Sequence, residues 1–199
     1  KPEQVLPPRQ RVLRDLQGWM LAVAANGGGI VGAYTLGKAQ EVVAAANAAG
    51  LRPAVSNEVG EVCDIYVAHD VPLEYDRFAA LSPEQRAAPG MLVTSSTATS
   101  GRRPDAVVLE LRQRGAHTAR VSGWCAFAPW ALRGVDAGFP MSDHADFAGL
   151  LNFVEACAPQ QVFTVHGAQH ELAREIRKRL GIPAQPLPER GETTLEEFT

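Results

Sequence analysis

The chain has 199 residues, 46% of them hydrophobic, enough to bury a substantial core in one domain or two small ones. A formal net charge of −3 excludes a global attraction to polyanions, so any nucleic-acid binding has to use a local basic patch. No apolar run approaches the ~20 residues of a membrane span, the Lys1 to Arg14 segment is too polar for a secretory signal, and Cys63, Cys125 and Cys157 have neither disulfide nor zinc-ribbon spacing. The expectation is a cytoplasmic protein with no membrane partner, whose cysteines are small core residues.

Apolar residues at Val12, Leu13, Leu16, Met20 and Val23 recur at helical spacing, and Asn26-Gly27-Gly28-Gly29 ends the pattern. Ile30 to Tyr34 reads as a short buried strand. Leu36-Gly37-Lys38-Ala39-Gln40-Glu41 then turns into an Ala/Val-rich helix that Gly50 stops, which makes half of a parallel β-α-β unit. Glu41 falls in the first turn or so of that helix, where an acid also favours the macrodipole. From Arg52 to Phe139, strand-like pieces (Pro53 to Val55, Val62 to Val67, Met91 to Thr94, Ala119 to Ser122) alternate with helical or turn-rich ones, giving an α/β layer. The polar run Thr94 to Arg103 precedes a helix beginning near Pro104. The hydroxyls of Ser95, Ser96, Thr97 and Ser100, with Arg102 and Arg103, form a phosphate cradle or, with equal weight, a solvated loop.

Met141-Ser142-Asp143-His144-Ala145-Asp146-Phe147 sets a histidine between carboxylates just before an apolar helical run through Phe147, Leu150, Leu151 and Val154. In an extended segment His144 and Asp146 share a face and Asp143 points opposite. Val162 to Val165 reads as a buried strand ending in His166 and Gly167, and strand ends are where α/β proteins bind ligands. A helix with Leu172, Ile176 and Leu180 on one face follows, with Arg177, Lys178 and Arg179 in its last turn and Gly181 past its end. Ile182 to Leu187 reads as a last strand and residues 188–199 as an acidic tail.

The Leu-Gly-Lys-Ala-Gln-Glu turn, the Ser-Asp-His-Ala-Asp stretch and the Val-His-Gly strand end, in this order with a helix after each, resemble the β-CASP branch of the metallo-β-lactamase-fold nucleases. Within that branch the wording is most similar to prokaryotic exonucleases of the messenger-RNA 3′-end-processing type and to those associated with DNA ligase. Val121-Ser122-Gly123-Trp124 and Val135-Asp136-Ala137-Gly138-Phe139 share the likeness. The resemblance implies an α/β chain made of a β-CASP (Rossmann-like) domain plus the C-terminal part of a metallo-β-lactamase αββα fold. Residues 1–43 and 140–187 would be lactamase-fold segments and 44–139 the β-CASP insert. It implies phosphodiester hydrolysis of RNA or DNA with two zinc ions, His166 a zinc ligand, His144 the acid that protonates the leaving oxygen, and Glu41 the carboxylate that orients it, with Asp146 as a further catalytic group.

That family's principal metal motif, His-x-His-x-Asp-His, lies upstream of the position of Glu41 and does not occur in this sequence. The resemblance therefore implies the C-terminal portion of a nuclease, inactive alone, that needs an N-terminal zinc-binding half or a second chain. Two other readings stand beside it: a noncatalytic nucleic-acid-binding or assembly module, and a self-contained single-metal hydrolase using His144, Asp146 and His166. DNA ligase and a sliding clamp are further partners to weigh. The tail resembles a clamp-binding peptide anchored by Leu195 and Phe198, with Glu192 in place of the usual glutamine and Thr199 in place of the second aromatic.

Overall fold

A computed structural model describes residues 4–100 and 104–188. The chain divides into two compact units, one of Leu6–Asp143 and one built from residues 144–188 with residues 4 and 5.

The larger unit contains α1 (Arg9–Ala24), β1 (Gly29–Ala33), α2 (Lys38–Ala48), β2 (Ala54–Val55), α3 (Asn57–Ala68), β3 (Asp76–Arg77), α4 (Pro83–Ala87), β4 (Met91–Ser95), α5 (Ala106–Gln113), β5 (His117–Val121) and β6 (Ala137–Phe139). Its six strands form one parallel sheet in the order β3-β2-β4-β1-β5-β6. Both faces are covered, so the strands read as continuous apolar runs. Side chains alternate across the pleat. Val31, Ala33, Val55, Val93, Ala119 and Val121 share one core with Leu16 and Met20 of α1, Val42 and Val43 of α2 and Val59 of α3. Ile30, Ala54 and Leu92 share the opposite core with Val108 and Leu111 of α5. Leu16 and Met20 are fully buried, each worth about 1.5–3 kcal/mol relative to exposure.

After β1 the chain crosses to β2 by way of α2, and after β4 it crosses the other way to β5 by way of α5, on the opposite face. The carboxyl ends of β1 and β4 are therefore the point where the winding reverses, the place in open α/β sheets that holds ligands.

One expectation is corrected in this unit. Val62 to Val67 is not a strand but lies within α3, because Val59, Gly60 and Cys63 fall on one helical face and are buried while Ile65 and Val67 are exposed. The boundary expected at 43/44 falls inside α2. Residues 9–43 pack in the same sheet unit as residues 44–139, with β1 among its inner strands.

The smaller unit contains α6 (Phe147–Cys157), β7 (Val162–Thr164), α7 (Gln169–Leu180) and β8 (Ala184–Pro186). Phe147, Leu151, Ala173, Ile176 and Ala184 form its core, and the Arg179 guanidinium lies 5.6 Å from the centre of the Phe147 ring. Gly181, at φ +68, closes α7 in the left-handed conformation its position calls for. Strands β7 and β8 pair with each other as a two-stranded parallel sheet. Unlike the buried strand expected, Phe163 and Val165 are exposed, as are Leu150 and Phe153 of α6. Cys157 is exposed rather than core, while Cys63 is buried and Cys125 half-buried. Burial pushes the thiols of Cys63 and Cys125 above their ordinary range.

Candidate functional site

Glu41 lies in the first turn of α2, just past the carboxyl end of β1. Gly37, at φ +82, lets the chain turn into the helix, and its backbone N–H donates to Gln40 Oε1 at 2.8 Å. One turn earlier on the same face, Lys38 reaches Glu41 Oε2 at 2.7 Å and Asp143 Oδ1 at 2.6 Å, with its side chain only 3% exposed. Arg9 of α1 donates to Glu41 Oε1 at 2.5 Å. Two carboxylates offset the desolvation of the buried ammonium. Asp143 arrives there because β6 pairs with β5 in the register Val121↔Phe139 and Met141 is anchored in the main core. A Cβ on Gly123 would fall 2.8 Å from Ser142 Cβ, so only glycine permits the approach of the stretch that ends in Asp143. The sequence reading gave Lys38, Arg9 and Asp143 no role. The Lys38–Glu41 spacing was the one available signal.

In the smaller unit His144 is exposed, and Asp146 is the N-cap of α6, its Oδ1 accepting from the Gly149 N–H at 2.8 Å. This capping bond is a structural role the sequence reading did not foresee. His166 follows β7 with φ +61 and Gly167 with φ +54, a left-handed pair at the strand end. The Thr164 hydroxyl donates to the Gln169 carbonyl at 2.8 Å and pins the loop that carries them. Among the described residues no group of three or more His, Cys, Asp or Glu side chains is placed to hold a metal ion, so the self-contained site of His144, Asp146 and His166 is not formed.

The polar loop after β4 contributes to a cleft of about 590 Å³ at the carboxyl ends of β1, β4 and β5. Ser96, Thr97 and Ser100 line it, whereas Ser95 is buried with its hydroxyl 2.9 Å from Thr97 Oγ1 and accepting from the Ala98 N–H. Arg102 and Arg103 lie outside the described residues. Gly32 makes the loop's close approach possible, since a Cβ there would fall 2.1 Å from Thr99 Oγ1. The far wall is the segment after β5, two 3₁₀ turns (Gly123–Ala126 and Pro129–Leu132) that carry Trp124 and Trp130. Asp136 ties this wall down by accepting from the Thr118 N–H at 2.7 Å and hydroxyl at 2.8 Å. Burial raises its pKa, but these hydrogen bonds outweigh that and hold the carboxyl below its ordinary value.

Over 198 residues, 98% of this chain, the sequence is 30% identical to a protein of Opitutus terrae named as a probable DNA ligase, and the chain spans 18% of that relative's length. Residues 138–185 match the family model described as the Zn-dependent metallo-hydrolase RNA specificity domain, a segment that holds both His144 and His166. No helix among the described residues is long and apolar enough to cross a membrane. The match of residues 138–185, a domain type of the β-CASP/metallo-β-lactamase fold, bears out the resemblance read from residues 36–41, 142–146 and 165–167.

Proposed function

We propose that this chain is part of a zinc-dependent nuclease that hydrolyses phosphodiester bonds in RNA or DNA. The observation that carries the reading is the match of residues 138–185 to a metallo-hydrolase RNA specificity domain, which spans the His144 and His166 segments. Zinc belongs to the described family. The donors of the described residues do not make a complete zinc site, so His166 contributes one ligand to a set completed by another part of the parent protein or by another chain. Residues 1–43 and 140–187 belonging to a lactamase-type half is part of the same proposal, although residues 9–43 pack in the sheet unit.

By the resemblance, His144 has the role of proton donor to the leaving oxygen and Glu41 that of the carboxylate that orients it. Arg9 and Lys38 already engage the two oxygens of Glu41. Arg9 and Lys38 hold the Glu41 carboxylate in place, and Lys38 positions Asp143, the residue before His144.

The relative named as a probable DNA ligase points to a nuclease that works beside end joining, trimming ends that a ligase then seals. A noncatalytic nucleic-acid-binding module is the second reading. The test is cleavage of end-labelled single-stranded DNA and RNA by the parent protein with zinc, with and without chelator. Chelator-sensitive cleavage that His144→Ala slows by about 10²- to 10⁴-fold supports the nuclease, and binding with no cleavage under any metal condition supports the module.

A further inference from the structure

The cleft at the carboxyl ends of β1, β4 and β5 holds a cation that forms no ion pair among the described residues. Arg120 of β5 is 9% exposed and lines the cleft. Its guanidinium donates to the Ala131 carbonyl at 2.9 Å and to the Thr99 carbonyl at 3.3 Å, and so braces both walls. Its Nε is buried with no hydrogen-bond partner. A charged group desolvated against neutral carbonyls, with one donor unused, costs free energy that a bound anion would offset. Arg133, exposed on the same wall, adds a second cation.

Beside the cations stand two half-exposed indoles. Trp124 and Trp130 are 49% and 52% exposed, with ring centroids 5.7 Å apart and planes tilted by 44°. They form one aromatic wall, and Tyr34, 54% exposed, lines the cleft from the β1 end. Large rings held on short 3₁₀ turns and left in water are costly unless something stacks on them. A volume of about 590 Å³ lies in the range of sites that hold a nucleotide-sized ligand.

We propose that this cleft binds one unpaired nucleotide of a single nucleic-acid strand, its phosphate on Arg120 and Arg133 and its base stacked on Trp124 or Trp130. Stacking on an indole face requires a base free of its duplex partner, which selects single strands over helices. The inference rests on the nucleic-acid substrate of the nuclease reading, but it assigns a binding site that needs no metal.

The experiment is fluorescence anisotropy of labelled oligothymidylate and oligouridylate with the full chain in chelator, read alongside tryptophan emission. Trp19, half-buried edge-on against Phe139, supplies a constant background. Both single strands should bind and quench emission, and the DNA and RNA arms show which sugar is preferred. Trp124→Ala and Trp130→Ala should each weaken binding, at least one of them by roughly 5- to 150-fold, the worth of a lost stack. Arg133→Ala should flatten the salt dependence. Both tryptophans are half-exposed, so these variants should keep the wild-type circular dichroism, whereas Arg120→Lys tests the guanidinium if it folds. Wild-type affinity in both tryptophan variants, equal binding of a matched duplex, or no binding at all overturns the cleft. Loss of cleavage by the parent with binding intact overturns the nuclease reading alone.

Discussion

Lys38 and Asp143, 105 positions apart in sequence, are joined by an ion pair of 2.6 Å whose ammonium is almost wholly out of water. The same ammonium holds Glu41 at 2.7 Å, so one buried charge fixes the start of α2 and the residue before His144 together. Lys38→Met keeps the aliphatic stem but removes the charge. It should cost about 1–3 kcal/mol, below the cost of breaking a fully buried pair because Asp143 is 59% exposed. Urea denaturation should show this as a lower midpoint at unchanged slope. A variant as stable as the parent would mean that the network organises nothing.

The sheet unit was largely legible in the sequence because each element is marked by its own period and stop signal: Val12 to Val23 by helical spacing, Ile30 to Tyr34 and Met91 to Thr94 by short apolar runs between turns. Val62 to Val67 was misread because Val62, Ile65, Tyr66 and Val67 favour strands locally, while burial of Val59 and Cys63 against α2 and the sheet decides for helix. The site was legible only where a motif carried it. His144, His166 and Glu41 stand out from their neighbours, but the Lys38–Asp143 pair and the cation of Arg120 are made by contacts between distant segments. No local pattern records those contacts.

Gly32 has no room for a side chain, because Thr99 of the loop after β4 rests on it. Gly32→Ala should therefore displace that loop and with it the Thr97 and Ser100 wall of the cleft. The expected cost is about 1–3 kcal/mol, the range for overpacking a core, with a several-fold loss of oligonucleotide affinity. Thr99→Ala in the same chain should recover part of both losses by making space. A Gly32→Ala protein with unaltered stability and affinity would show that the loop adapts freely.

Asp136 joins β5 to the end of the aromatic wall through the Thr118 N–H and hydroxyl. Its folded pKa is lowered, so the ionised form is the one the fold prefers. Its contribution to stability is present above the unfolded carboxyl value of about 3.9 and is lost as pH falls through the lower folded value. Asp136→Asn should cost about 1 kcal/mol at neutral pH, the low end for charged hydrogen bonds because the side chain is exposed. The difference between the two proteins should shrink in acid. A gap that stays constant as pH falls through the carboxyl range would remove the charge argument.

The two histidines of the smaller unit carry different tasks in the proposed nuclease, and the backbone at His166 allows those tasks to be separated from stability. His166 sits at φ +61, where an L side chain is strained and glycine is not. His166→Gly should therefore be more stable than His166→Ala by about 1 kcal/mol, yet in the parent protein both should lose zinc and cleavage to the same extent, since both delete the proposed ligand. His144→Ala should leave zinc largely bound and slow cleavage by about 10²- to 10⁴-fold, the usual worth of a positioned proton donor. Glu41→Gln should show a weaker form of the same defect. Substrates with a better leaving group need less protonation, so they should partly rescue His144→Ala and leave the His166 variants inactive. Metal analysis and thermal melting of the four variants, with rates on both substrates, measure all of this. If His144→Ala strips zinc as thoroughly as the His166 changes do, His144 is a ligand and not the acid. If activity follows melting temperature across the set, both histidines act only through stability.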